Sequence, residues 1–327
     1  MDERDAPTDS PDNPVKPAAT AVEARSGALA PIVNRAASEL TRLCEQTRVA
    51  GLHLVATPIG NLGDITLRAL AMLATADVIY AEDTRHSGRL LSHFAIKAKL
   101  RPYHEHNAER ERPAILAALE KGESVALISD AGTPLISDPG YKLVRECLAA
   151  GHTVDSIPGP SAPLAALVAS GLPTDTFFFS GFLPTKSRAR KARVEELASI
   201  PATLILFEAP SRVSDTLRDL ADGLGDRQAA IARELTKLNE EFARGRLSEL
   251  ITDFQNRDRI KGEIAIVVSP PLPTELSDAD LETRLVEALN EMSLRDAAKA
   301  IADDLGVPRK RVYELGLTLR RTMGDAK

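Results

Sequence analysis

Four short turns rich in small residues stand out as places where chemistry could occur. They are Thr57-Pro58-Ile59-Gly60-Asn61-Leu62-Gly63-Asp64, the run Ser129–Gly140, Pro158-Gly159-Pro160-Ser161-Ala162, and Phe207-Glu208-Ala209-Pro210-Ser211-Arg212. Each follows a stretch that reads as a β-strand. In open α/β sheets ligands bind beyond the carboxyl ends of strands, so these turns are candidate binding loops. Glycine and alanine expose backbone N–H and C=O groups and let the chain approach a ligand closely. The first turn has neither Gly-x-Gly-x-x-Gly nor a Lys-Ser/Thr pair, which argues against a nucleotide-phosphate loop. Taken alone, it reads equally as a plain tight turn. In the second, Asp138 before Pro139 reads as the cap of the following helix, because proline favours the first helical position. A metal between Asp130 and Asp138 is the alternative, but it lacks further local ligands. Simple caps account for the last two turns as well.

Two other clusters invite a metal or acid–base reading. Glu82-Asp83-Thr84-Arg85-His86 follows the strand Val78–Ala81, and a surface ion pair between Asp83 and Arg85 is the plain account. His104 and His106 have the spacing of a metal pair, yet no other soft ligand is near, so a solvated loop is favoured. No metal is expected.

The elements that must position these turns follow from composition and pattern. The chain has 327 residues, 43% hydrophobic and 27% charged, which fits two globular domains or two plus an appendage. No stretch approaches the ~18–20 apolar residues of a membrane helix. The first thirty residues lack an apolar block, which argues against a secretory signal. Two cysteines, Cys44 and Cys147, are too few for a disulfide framework or cysteine-rich zinc site. A reducing cytoplasm is the expected setting. A net charge of −6 argues against a wholly basic nucleic-acid coat protein but leaves room for basic patches.

Residues 1–50 hold Pro7, Pro11, Pro14, Pro17 and Pro31 and few bulky apolar residues. They read as disordered to about Gly27, with a marginal helix over 31–48. From Gly51, strands and helices alternate: strands at 52–56, 78–81, 125–129 and 153–157, helices at 65–73, 108–120 and 141–150. This predicts an α/β domain over 51–158 with a largely parallel sheet. After the Pro158-Gly159-Pro160 punctuation a second α/β domain runs over 159–270. Pro270-Pro271-Leu272-Pro273 is a stiff linker. The segment 277–327 has no strand signal and reads as a helix-turn-helix: Leu294–Leu305, a turn at Gly306, then Pro308–Arg320. Ala302 and Val312 fall at its small and core positions, with Ile301, Leu305, Val307 and Leu315 completing the core. A helical packing or dimerisation module is the alternative.

In order, several motifs resemble one family. They are Val55–Leu62, Ala81–His86, Ser129–Gly140, Pro158–Ala162, Gly181-Phe182-Leu183-Pro184 and Ala232-Arg233-Glu234-Leu235-Thr236-Lys237. The set resembles the ribosomal RNA small subunit methyltransferase I family, of the tetrapyrrole-methylase fold, over about residues 52–270. The C-terminal segment also fits. The resemblance implies two αβα domains of the non-Rossmann, class III methyltransferase type, with S-adenosylmethionine in the cleft between them, and a homodimer. It implies 2′-O-methylation of a cytidine in bacterial 16S rRNA, with the RNA within the small ribosomal subunit as the expected partner and naked RNA as the alternative form of the substrate. By motif position, Pro58, Asp130, Ala131, Gly132, Thr133, Ile136, Ser161 and Ala162 would bind the cofactor. Glu208 and Gly245 follow by analogy with the wider superfamily. The Gly132-Thr133-Pro134 turn departs from the Gly-Asp-Pro turn of many tetrapyrrole methylases and follows the rRNA branch.

Methyl transfer to a ribose hydroxyl needs positioning, and a base helps. Candidates in the matched motifs are Asp83 with Arg85, Glu234 with Lys237, and Glu208. Structural ion pairing explains the two pairs equally well. For RNA, Lys186–Arg193 holds five basic residues in eight (Lys186, Arg188, Arg190, Lys191, Arg193). A solvated helix face explains them on composition alone, and the resemblance favours RNA contact. In the C-terminal module Arg309, Lys310, Arg311, Arg320 and Arg321 stand against Glu314 alone, which suits phosphates. The rivals are a small-molecule methylase of the same fold and a non-catalytic helix-turn-helix nucleic-acid-binding protein.

Overall fold

The computed structural model describes residues 19–46, 49–271, 278–305 and 307–324. Contact clustering divides the chain at residue 270 into two compact units. In the first, helix α1 (Ala19–Glu45) runs beside the helix that follows β1. Residues 19–27, read from sequence as disordered, are therefore helical. Their alanines (Ala19, Ala21, Ala24) favour helix, and Pro31 sits inside the element. The earlier residues lie outside the described region.

The first αβα domain contains β1 (Gly51–Val55), α2 (Leu67–Thr75), β2 (Val78–Ala81), α3 (Thr84–His93), β3 (Leu100–Pro102), α4 (Ala108–Glu120), β4 (Ser124–Ile128), α5 (Tyr141–Ala149) and β5 (Val154–Ile157). Its sheet has the order β3-β2-β4-β1-β5 and every pairing is parallel. Both faces are covered. Leu52, Tyr80, Val125 and Leu127 pack under α4 and α5, while Val55, Ile79, Ala126 and Ile128 pack under α2 and α3. Two-sided burial is why these strands read as continuous apolar runs.

The second αβα domain contains α6 (Ala162–Ser170), β6 (Phe177–Phe182), α7 (Ser187–Ala198), β7 (Thr203–Glu208), α8 (Val213–Leu224), β8 (Gln228–Arg233), β9 (Glu241–Arg246), α9 (Leu247–Gln255) and β10 (Ile264–Val268). Its sheet runs β6-β7-β10-β8-β9. Only β6 and β7 are parallel; β10 lies antiparallel to both neighbours, and β8 and β9 form a hairpin. One face packs on α7, α8 and α9. The other packs on α6, where Ile59 of the first domain joins Ala166, Leu167 and Ile205.

Among the described residues the second unit is three helices: α10 (Asp278–Leu289), α11 (Leu294–Leu305) and α12 (Arg309–Gly324). Leu281, Leu285, Leu294, Ala298, Ile301 and Val312 form its core, with Ala302 inside and Leu305, Val307 and Leu315 at the edge. The expected helix pair is present, joined by α10, and Gly306 lies outside the described residues. Gly316 lets α12 approach α11 closely, since a Cβ there would collide with Leu294. Among the described residues, no helix is long and apolar enough to cross a membrane.

Candidate active site

The order of the first sheet creates a crevice. From β1 the chain moves to one side, to β2; from β4 it moves to the other, to β5. The exits of β1 and β4 therefore diverge around a topological switch point, where such sheets bind ligands. The two exit loops are the first two candidate turns, and they are joined. Thr57 N donates to Gly132 O at 2.9 Å, and Gly132 N donates to Thr57 O at 3.0 Å. The Thr57 hydroxyl donates to Ser129 O at 3.2 Å. The third turn is tied in by Thr133 Oγ1, which donates to Pro160 O at 3.2 Å. Gly132 has φ +79°, and a Cβ there would lie 3.2 Å from Ile59 Cγ2. Glycine is required by both backbone and space.

These turns form one wall of a cavity of about 370 Å3, within the usual size of ligand pockets. The second domain supplies the rest: Phe182 and Phe207 from the ends of β6 and β7, Ala232 and Leu235 at the end of β8, and Gly262 to Ala265 at the start of β10. The hairpin turn after β8 is strained, with Glu234 at φ +52° and Thr236 at φ +63°. It presses on the first turn so tightly that a Cβ on Gly60 would come within 2.9 Å of Leu235 O.

Of the ten residues expected to bind a cofactor, Ala131, Gly132, Thr133, Ile136, Ser161, Ala162 and Glu208 line the cavity. Three do not. Pro58 is buried while its neighbour Ile59 faces the space. Asp130 is turned toward α3, its Oδ1 accepting from Asp83 N at 2.9 Å. Gly245 pairs with Ala229, at the opposite end of β8 from Ala232, roughly 10 Å along the strand.

The catalytic candidates divide as well. Asp83 caps α3, accepting from Arg85 N at 2.8 Å and from the Arg85 guanidinium at 3.0 Å. The hydrogen bonds from Arg85 hold its carboxyl down at about 2. This pair is at the surface and does not line the cavity. Glu234 and Lys237 sit at the rim, where Lys237 Nζ donates to Glu234 Oε1 at 2.8 Å and to Glu263 Oε2 at 3.1 Å. Burial pulls Lys237 down, but hydrogen bonds and charge from the two carboxylates outweigh it and its pKa is raised. Lys237 is therefore held in its charged form rather than poised to accept a proton. Glu208 is buried, Oε1 accepting from Ala209 N at 2.7 Å and Arg212 Nε at 2.8 Å, Oε2 from Thr216 Oγ1 at 2.6 Å.

Asp138 is not a helix cap. Gly140, at φ +142°, precedes the first residue of α5, Tyr141. Asp138 lines the cavity instead. Burial, then the charge of Glu82 and that of Asp130, push its carboxyl up to about 6, against the Ser129 hydroxyl. A carboxylate inside a small-residue loop after a fully apolar strand was the available signal. Among the described residues, no His/Cys/Asp/Glu group could hold a metal.

Residues 51–251 match the family of Tetrapyrrole (Corrin/Porphyrin) Methylases, and residues 275–320 match the RsmI C-terminal HTH domain. The ribosomal RNA small subunit methyltransferase I of Mesorhizobium japonicum is 50% identical over 84% of this chain and 94% of its own. That of Vibrio cholerae is 46% identical over 81% and 94%. The chain belongs to the ribosomal RNA small subunit methyltransferase I family. It is a methyltransferase. Its fold is shared with the cobalamin biosynthetic enzyme cobalt precorrin-4 methyltransferase (TM-score 0.52, 17% identity, 67% of this chain and 94% of that one). Diphthine synthase has it too (TM-score 0.51, 20% identity, 67% and 90%).

The basic residues of this family member are not equally free. Arg190 is only 6% exposed, its Nε donating to Asp219 Oδ2 at 2.6 Å, and it ties α7 to α8. It is withdrawn from the expected RNA set. Lys191 faces Asp219 at 3.6 Å and Asp222 at 3.8 Å, and Arg193 pairs with Glu196 at 2.7 Å. Lys186 and Arg188 are exposed and have no ion pair among the described residues. In the helical unit, Arg311 pairs with Asp278 at 2.7 Å, clasping α12 to α10. Arg309 and Lys310 are exposed, and Lys310 has only a long 3.9 Å contact to Glu314.

Proposed function

We propose that the cavity binds S-adenosylmethionine and that the chain transfers its methyl to the ribose 2′-oxygen of a cytidine in 16S rRNA, cytidine 1402 in the family's full name. The observation that carries this reading is the junction of three turns, locked by the Thr57–Gly132 bridge and by Thr133 on Pro160. When bound, the sulfonium donor supplies an activated methyl and its own leaving group. The residues present suit it. Ile59, Phe207, Ala232 and Leu235 offer apolar surface for a purine and methylene groups. The backbone of Ala131 to Thr133 offers hydrogen bonds without side-chain bulk. Ser161 stands at the start of α6 with no cap hydrogen bond of its own, and the positive end of that helix favours a carboxylate.

RNA is held by phosphate contacts from Lys186 and Arg188 at the start of α7 and from Arg309 and Lys310 at the start of α12. The substrate is 16S rRNA within the small subunit, and the working enzyme is a homodimer in the cytoplasm. A test uses 30S subunits and naked 16S rRNA from cells lacking the gene, incubated with the protein and labelled donor. Methyl is expected at one ribose, mapped by resistance to alkaline cleavage. Absence of donor uptake by calorimetry, or transfer to a porphyrinogen but not to rRNA, overturns the reading.

A further inference from the structure

Among the described residues, three carboxylates line the cavity: Asp138, Glu208 and Glu263. Glu208 has both oxygens occupied by Ala209, Arg212 and Thr216. Glu263 is held by Lys237. Asp138 has no cation partner among the described residues. It also borders a second recess of about 10 Å3 behind the loop, lined by Glu82, Tyr103, Ser129 and Pro134. Asp138 therefore lines both the cavity and this recess, where Glu82 is the other carboxylate among the described residues.

From this geometry, and resting on the ribose-methylation reading above, we infer that Asp138 is the general base that takes the proton from the attacking 2′-hydroxyl. As the hydroxyl oxygen bonds to the methyl carbon, its proton passes to the Asp138 carboxylate. The methyl–sulfur bond breaks, its electron pair remains on sulfur, and the products are a methyl ether, a neutral thioether and a protonated Asp138.

The surroundings set the base strength. Glu82 at the end of β2 and Asp130 after β4 both disfavour the charged form of Asp138, as does burial, while the Ser129 hydroxyl favours it. Glu82 is itself raised, chiefly by burial and then by Asp130, against His104. His104 Nδ1 is buried without a partner. A carboxylate raised to about 6 is a stronger proton acceptor than an ordinary one and is still ionised at neutral pH. Candidates from the sequence fail here for opposite reasons: Asp83 is too acidic and lies outside the cavity, and Lys237 stays protonated.

The test compares wild type, Asp138→Asn and Glu82→Gln. Donor affinity is read by calorimetry, single-turnover transfer to unmethylated 30S subunits is followed from pH 5 to 9, and the Asp138 carboxyl is followed by carbon NMR in the donor-free protein. Wild-type transfer is expected to rise about tenfold per pH unit below about 6 and then level. Asp138→Asn is expected to bind the donor within about threefold of wild type and to lose ~10²–10⁴-fold in transfer, with no inflection near pH 6. Glu82→Gln removes a neighbouring charge and shifts both the kinetic inflection and the NMR titration to lower pH. An Asp138→Asn protein that is as active as wild type, or keeps the inflection, overturns the assignment. If that variant fails to fold, Glu82→Gln decides, and an unmoved inflection overturns it. A wild-type protein that binds donor but methylates no ribose overturns the functional reading itself, a result distinct from an active wild type with an equally active variant.

Discussion

The two walls of the cavity treat charge in opposite ways. The wall from the first domain is built of backbone and small residues, and its one carboxylate, Asp138, is desolvated and lacks a cation. At the β8–β9 hairpin the lining is Ala232, Leu235, Gly262 and Glu263, and at its rim Lys237 binds Glu234 and Glu263 together. Paired charges hold a strained turn in place; an unpaired one is left able to exchange a proton. A motif rich in acids and bases is thus a guide to architecture here, and the reactive group lies in the plainer loop.

The comparison can be broken most severely at Gly132. Replacing it with valine puts a β-branched residue at φ +79° with its Cβ against Ile59. Donor affinity measured by calorimetry is expected to fall at least ~100-fold. Undiminished uptake means the first wall is not backbone-built.

On the opposite wall, Lys237→Met leaves Glu234 and Glu263 without their cation. A loss of about 1 kcal/mol in urea unfolding is expected once solvent screening is allowed for. An unchanged midpoint removes the structural role given to the cluster.

The walls also respond oppositely to acid. Asp138 has a folded pKa of about 6 against an ordinary 3.8, so its contribution favours the fold below about 4 and is lost as pH rises through 6. Asp138→Asn is therefore expected to be more stable than wild type above pH 6, by on the order of 1 kcal/mol after screening, the gap closing below pH 4. Glu234 is lowered, first by the Lys237 hydrogen bond and then by that from Glu263 N. Its contribution is present above the ordinary 4.5 and fades as pH falls through its lower folded value. Thermal unfolding of Asp138→Asn and Lys237→Met across pH 3 to 8 separates the two signs.

The smallest effect is expected away from both walls. Asp83→Ala removes the cap of α3 and its pair with Arg85, lowering Tm by about 1–3 °C with methyl transfer unchanged. A large loss of transfer restores Asp83 to the catalytic set.

Much of this architecture is legible in the sequence because strands buried on both faces leave unbroken apolar runs, as in Val125–Ile128, punctuated by glycine and proline. What escapes is polar or short. β9 reads Glu-Phe-Ala-Arg-Gly-Arg, an edge strand with no apolar run, and β3 has three residues. The mixed direction of the second sheet is set by the β8–β9 hairpin and by β10 inserting between β7 and β8, which strand pattern does not encode. Arg190 looked like RNA-binding surface because its partner, Asp219, is 29 residues away. Asp138 looked like a cap because the rule for proline at a helix start competes with the positive φ of Gly140, and only coordinates decide between them. The loops that line the cavity are readable, since small residues and glycine or proline directly after a strand mark them locally.

One property of the pocket concerns synthesis. Its lining begins at Ile59 and ends at Ala265, and its central bridge joins Thr57 to Gly132. A nascent chain must emerge almost through β10 before the last wall can close. Products released before β10 would carry ligand loops but no enclosure, so capture of the methyl donor would require translation as far as Ala265, whether or not helices α10 to α12 have followed.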